Sequence, residues 1–467
     1  MSNVRDFGAV GDGKADDTEA LQHAISDGEG FLQLERGNYR ITKTLLIDLA
    51  KHRRTGIEGS GGTAKIIMAG AGPAIHFLGT HGKSADPNDF AATIWQNERM
   101  PTLAHLEIEG AHPEADGVRL EGVMQPTLTG LLIRHVRTAV HVTKRARNVL
   151  ISHCHIYHNT GVGVHFENVN LHQAIVTGSH ISYCRLGGIR VEKCEVRNFQ
   201  VTGNDIEYNN NRAHKVPEAD DVPTAEIYVD VGEGTVREGT ISGNTIQATY
   251  SPGGANIRFI GAGGEKNHKA GMWTITGNLI GSQHYNVWLS SVRDVTLSGN
   301  TIYSGHGRSL LVENSRNILV SGNCFGHNPD YTQNELCTGI RIVDSVDCNL
   351  SGIVIEDCRL GQHTVPQTIA IERKGLIEIE RCRRINLSGV EVLNGAPVGI
   401  ALADCSDTLI SGCTVLDVRE DKKMEAAIRW QGEGIGNFIT ACRLGGSTDK
   451  VLDVPPHVKV GENRFDD

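Results

Sequence analysis

The chain has 467 residues, enough for two or three ordinary domains, but 55 glycines and only 5% aromatic residues point to a fold that turns often and packs aliphatic side chains. A formal net charge of −10 excludes a general nucleic-acid binder, which would carry a basic surface. With no apolar run approaching 18 residues there is no membrane span, and the opening Met1-Ser2-Asn3-Val4-Arg5-Asp6 lacks a charged-then-apolar leader, so the sequence as written reads as cytoplasmic, or secreted if a leader has been removed. In chain order, Asp16-Asp17-Thr18-Glu19 followed by Ala20-Leu21-Gln22-His23-Ala24-Ile25 predicts a short helix with an acidic first turn, placed to cover one end of a strand stack. Phe31-Leu32-Gln33-Leu34 and Tyr39-Arg40-Ile41 then begin the strands. Residues 1–50 are read as cap and first strands, 100–445 as regular coils, and 446–467 as a tail, all in one domain.

The coils are identified by a repeat, apolar-x-Gly-Asn-x-Ile. It appears as Val201-Thr202-Gly203-Asn204-Asp205-Ile206, Ile241-Ser242-Gly243-Asn244-Thr245-Ile246 and Ile275-Thr276-Gly277-Asn278-Leu279-Ile280, and again at Gly299-Asn300 and Gly322-Asn323. Relaxing Gly-Asn extends it to His105, Gly130, His153 and Gly178 upstream and to Gly352, Gly389, Gly412 and Ala441 downstream, about 13 coils spaced mostly 22 to 25 residues apart. Each coil also carries a short alternating strand, such as Val164-His165-Phe166 or Ile257-Arg258-Phe259. Units this short cannot bury an apolar face alone and must stack. The prediction is all-β: a right-handed parallel β-helix, a single-stranded solenoid with an N-terminal capping helix. Stacked asparagines at a left-handed turn and a column of Ile156, Ile181, Ile206, Ile246, Ile280, Ile302 and Phe325 follow. Eleven cysteines without a C-x-x-C pair, with Cys154, Cys324, Cys413 and Cys442 at one repeat position, read as buried free thiols.

Val4-Arg5-Asp6-Phe7-Gly8-Ala9-Val10-Gly11-Asp12-Gly13 with Ala15-Asp16-Asp17-Thr18-Glu19-Ala20-Leu21 resembles the N-terminal signature of the pectate-lyase superfamily, whose members include lyases, glycoside hydrolases and phage tailspikes. Residues 270 to 350 are also similar to bacterial inulin fructotransferases, a likeness that implies a homotrimer. Gly243 and Arg258 stand where that family has its catalytic Asp and Glu, so its chemistry does not carry over. Gly305-His306-Gly307 and Asp220-Asp221 are similar to polygalacturonase motifs, but several coils separate them.

Insertions mark where chemistry is expected. Ile206 to Ile227, Ile246 to Ile257 and Arg258 to Gly277 are each longer than their counterparts and flank the same rungs. Alternation predicts an outward column of Arg119, His141, His165, Arg190, Tyr228, Arg258 and Trp288. A second column holds Glu121, Glu167, Glu192 and Asp230, and a third, two residues before the first, holds Glu226, Asn256 and Asn286. The predicted catalytic set is Glu192, Glu226, Asp230 and Arg258, with substrate held by Glu167, His165, Arg190, Tyr228, Asn256 and Trp288. Carboxylates on successive rungs either share a proton or share a cation, so Glu192, Glu226 and Asp230 form a candidate Ca²⁺ site. The layout of Glu226, Asp230 and Arg258 resembles the calcium-carboxylate and arginine-base arrangement of pectate lyases, although their tryptophan-aspartate-histidine signature is absent. The resemblance implies cleavage of an acidic poly- or oligosaccharide, with β-elimination favoured by the arginines and histidines. Hydrolysis or transglycosylation by paired carboxylates and a non-catalytic glycan-binding trimer are the alternatives, and simple Glu–Arg pairing on a solvated sheet is the plain one. His155, His180 and Asp205 form a second candidate site, as a metal site, proton relay or subunit contact.

Overall fold

The computed structural model describes residues 2–82, 91–210, 224–248, 250–262, 268–328, 339–357 and 373–466. The protein is a parallel β-solenoid of about 15 turns. Two compact units divide the chain, Met1–Thr240 and Ile241–Asp467.

In Met1–Thr240 the coils begin well before residue 100. Leu32 pairs with Ser2 and Ile57, and Ile57 with Leu103, so the first strands already form rungs. The interior column of Ile108, Ile133, Ile156, Ile181 and Ile206 is in register from coil to coil and fully buried. Burying each such side chain contributes about 1.5–3 kcal/mol, which is what stacking adds and a lone coil lacks. The predicted helix is Thr18–Asp27, burying Leu21, Ala24 and Ile25. Its Gln22 amide donates to the Leu46 carbonyl at 3.0 Å and accepts from the Leu46 N–H at 2.9 Å, occupying strand-edge groups that nothing else would pair. Asp17 makes no cap hydrogen bond; its carboxylate instead accepts from the Val10 and Gly11 N–H groups.

In Ile241–Asp467 the corresponding column is Ile246, Ile280, Ile302, Phe325, Ile355, Val392, Val415 and Leu444. The expected tail is a further coil, since Phe465 pairs with Leu444 and Val460 with Ile439. The asparagine ladder is sharper than its prediction. Glycine takes the left-handed backbone, with φ near 60° at Gly243, Gly277, Gly299 and Gly322, while the asparagine after it reaches inward. Asn278 Oδ1 accepts from the Asn244 N–H at 3.0 Å, Asn300 Oδ1 from the Asn278 N–H at 3.0 Å, and Asn323 Oδ1 from the Asn300 N–H at 2.9 Å. Each Nδ2 also donates to a carbonyl of the coil before, as from Asn278 to Ile241. Every ladder amide therefore clamps the preceding coil.

All nine described cysteines are free thiols and eight are buried. Cys154, Cys413 and Cys442 occupy the inward ladder position. Cys324 falls one residue beyond it, points outward and is exposed, a correction to its predicted burial.

Candidate active site on the outward strand face

Met1–Thr240 carries the predicted lattice on strands Ala115–Met124, Val140–Ser152, Val162–Thr177, Gly187–Glu192 and Ala225–Asp230. Glu167, Glu192 and Asp230 are paired neighbours on successive rungs, as are His141, His165, Arg190 and Tyr228. Rung spacing near 4.8 Å lets each ring or guanidinium reach a carboxylate on its own or the next strand. His141 Nε2 lies 3.3 Å from Glu167 Oε2, and the His141 and His165 rings stack with centroids 5.6 Å apart. His165 Nε2 is 2.8 Å from Glu192 Oε2. Arg190 grips the same carboxylate with two parallel bonds of 3.0 and 2.8 Å, donates to the Leu186 carbonyl, and lays its guanidinium 4.7 Å over the Tyr228 ring. Tyr228 donates to Asp230 Oδ2 at 3.3 Å, and Asp230 Oδ1 accepts from the Gly232 N–H.

Burial alone would raise the Glu192 carboxyl, but His165 and Arg190 outweigh it and hold it down at about 2. Glu192 is therefore a fixed anion, not a proton donor. His141 is pushed down, first by burial and then by the His165 charge, with Glu167 opposing.

Two predicted site residues are placed differently. Glu226 is completely buried, its carboxylate accepting from the Asn209 N–H at 2.9 Å and the Asn209 Nδ2 at 2.5 Å, and burial raises its carboxyl to about 8. Asn256 is also fully buried, donating to the Gly281 carbonyl at 2.8 Å and to Asn286 Oδ1 at 3.0 Å. At the second residue of these strands the chain is still rounding a corner, so alternation does not yet apply and the side chain turns inward. Gly188 holds the equivalent position, where an added carbon would press on Ile206 and Asn209. The Glu192, Glu226 and Asp230 metal cluster is thus not assembled: Glu226 lies inside and Glu192 is already saturated. Among the described residues the group that brings three ligand-capable side chains together is His141, His165 and Glu167, whose nitrogen donors suit a transition metal more than Ca²⁺.

The second candidate set is in register. The His155 and His180 rings stack 5.2 Å apart, and His180 Nδ1 is 3.2 Å from Asp205 Oδ2. His180 is 58% exposed, which marks a surface pair rather than an enclosed centre. Of the long insertions, residues 211–223, 249 and 263–267 lie outside the described residues, as does Asp220-Asp221.

The outward column of Ile241–Asp467 is filled differently. The Arg258 guanidinium sits 3.9 Å over the Trp288 ring, whose Nε1 donates to Glu313 Oε2 at 2.7 Å. Farther along, alternation missed a depression of about 200 Å³ lined by Lys374, Glu378, Glu380, Ala401, Ala403 and Arg429. Its signal was present in the sequence: Ala401 and Ala403 are short residues at two consecutive outward positions. Its acids are neutralised within the fold, Glu378 by Arg308 at 3.0 Å and Glu380 by Arg341 at 3.2 Å.

This architecture has a matching class. The chain matches the family model of the right-handed beta helix region over residues 91–228 and 226–415, and it belongs to that family. Residues 1–97 match a second model, rhamnogalacturonase A/epimerase, pectate lyase-like, over the segment carrying the N-terminal signature. No curated protein sequence matches it significantly. Among solved structures it is similar to the pre-mature bacteriophage phi29 gene product 12, with a TM-score of 0.52, 12% identity, and coverage of 94% of this chain and 55% of that one. It is also similar to the Dettilon tailspike protein (TM-score 0.46, 16% identity, 99% and 68% covered) and to the Azotobacter vinelandii mannuronan C-5 epimerase AlgE4 A-module (TM-score 0.41, 14% identity, 98% and 100% covered). At 12% identity the likeness to the phi29 gene product is one of fold. No helix among the described residues is long and apolar enough to cross a membrane.

Proposed function

We propose that the outward face of Met1–Thr240 binds an acidic poly- or oligosaccharide and cleaves it by β-elimination, with His165 as the base. The observation that carries this reading is the His165–Glu192–Arg190 arrangement. A 2.8 Å contact fixes one imidazole nitrogen against a carboxylate that two guanidinium bonds hold in turn. This is how a general base is oriented, and such groups contribute about 10²–10⁴-fold to rate. The match of residues 1–97 to a pectate lyase-like model supports a glycan substrate.

In the reaction His165 takes the proton from C5 of a uronate, the electron pair forms the C4–C5 double bond, and the C4–O4 bond breaks. The departing oxygen takes a proton from the Tyr228 hydroxyl, whose ring lies under the Arg190 guanidinium. Glu192 and Arg190 are positioning residues. Hydrolysis by a carboxylate pair is disfavoured because Glu192 stays ionised down to about pH 2, while the carboxyl raised to about 8, Glu226, is enclosed.

Polyuronates of differing linkage, assayed with and without chelator, test the reading by the ultraviolet absorbance of unsaturated products. Wild type yields absorbing ends, and Glu192→Gln lowers kcat about 10-fold or more with KM little changed, as expected for lost orientation. New reducing ends without absorbance would replace elimination by hydrolysis. Binding without any cleavage would leave a glycan-binding protein, and activity abolished by chelator would make the His141–His165–Glu167 group a metal centre.

A further inference from the structure

A charge with no counter-charge among the described residues lies just past the lattice. After Thr143 the strand Val140–Ser152 bulges, and Arg145 follows where the chain turns onto the next face. Arg145 is only 5% exposed and its partners are neutral. Its Nε donates to His81 Nε2 at 3.2 Å, and one terminal nitrogen donates to the Asn170 carbonyl at 2.9 Å and to Asn170 Oδ1. The other terminal nitrogen is buried without a partner. No described carboxylate offsets this charge; burial and the neighbouring Arg147 both push the guanidinium below its usual range. His81 cannot supply the missing charge, because burial and the two arginines hold it down at about 4 and hence neutral.

Two more groups converge here. Arg147 lies two residues on, on the same side of the strand, with its Nε on the neutral Asn148 Oδ1 at 3.1 Å. His172 pairs in register with Arg147 on the next rung, and its Nδ1 is buried without a partner. A guanidinium left buried and uncompensated is destabilising, and an oxyanion accepting from its unpartnered terminal nitrogen would offset that cost.

We propose that Arg145, Arg147 and His172 form a binding site for a small oxyanion, the carboxylate of a uronate or a sulfate ester borne by an acidic glycan. Arg145 is the enclosed anchor, and the half-buried Arg147 is the side from which the anion enters. The site shares no residue with the His165 lattice and stands whether or not that lattice is catalytic.

Calorimetric titration of the full chain at constant ionic strength, with sodium sulfate, glucuronate and glucose as probes and chloride as the balancing salt, tests this. Wild type binds sulfate or glucuronate one to one and ignores glucose. Binding of sulfate alone assigns a sulfate ester, and binding of glucuronate assigns a uronate. Arg145→Met abolishes binding while melting no lower than wild type in chloride, since an uncompensated buried charge has been removed. Arg147→Gln, at a half-buried position that does not threaten folding, weakens binding about 10-fold. Equal binding by wild type and Arg147→Gln, or no binding of either anion by wild type, overturns the proposal.

Discussion

Each unit carries an outward column on the equivalent strand of its coils, yet the two columns are filled with different chemistry. In Met1–Thr240 it is ionic: His141, His165 and Arg190 each meet a carboxylate, and Glu192 is held by two of them. In Ile241–Asp467 it holds an arginine stacked on tryptophan, a buried leucine at Leu311, the ion-paired Arg341 and Glu378, and then Ala401, which opens a depression. A stack of identical backbones imposes position but not chemistry, so a reactive stretch can occupy a few rungs while the rest of the face stays inert.

That contrast can be broken most severely at His165. His165→Ala is expected to lower kcat by about 10²–10³-fold in the unsaturated-product assay, and comparable activity in the variant would remove the distinction between the faces. A second test concerns the proton held inside Met1–Thr240. Between about pH 4.5 and 8 the folded chain keeps on Glu226 a proton that the unfolded chain has released, so this group makes stability fall as pH rises through that window. Glu226→Gln should flatten the denaturation profile there, a difference on the order of a few kcal/mol between its ends; an unchanged slope would mean that Glu226 is ionised in the fold. Glu192 acts with the opposite sign. Its stabilisation is complete above about pH 4.5 and is lost as pH falls toward 2, so acid unfolding of Glu192→Gln should lack that step. In Ile241–Asp467, Asn278→Ala strips the Asn244 N–H of its acceptor and should cost about 1–3 kcal/mol in urea unfolding, with activity kept. The smallest change is expected from Trp288→Ala: turnover within about threefold of wild type, because its ring is engaged by Arg258 and Glu313 rather than by the reacting groups.

The coil repeat was legible because Gly-Asn is a backbone requirement, a left-handed residue followed by an amide that clamps the coil before. The rungs of Glu167, Glu192 and Asp230 were legible for a related reason, since alternation and register fix them once the strand is known. Glu226 and Asn256 were not. Their inward orientation depends on where the corner ends, and period-two counting assumes a straight strand from its first residue. Arg145 was hidden by the bulge after Thr143, which resets the alternation within one continuous strand. Nor could counting show that the Glu192 carboxylate is already filled by His165 and Arg190, which excludes it from a cation cluster.

The asparagine clamp has a consequence for how such a chain can change. Each ladder amide bonds only the coils directly before and after it, so the pitch of the stack is set at one corner and is indifferent to the length of chain between corners. Segments of 22 residues and of 34 return to the same contact. Loops can therefore be lengthened or exchanged like removable fittings, and a new recognition surface needs no new solution to the folding problem.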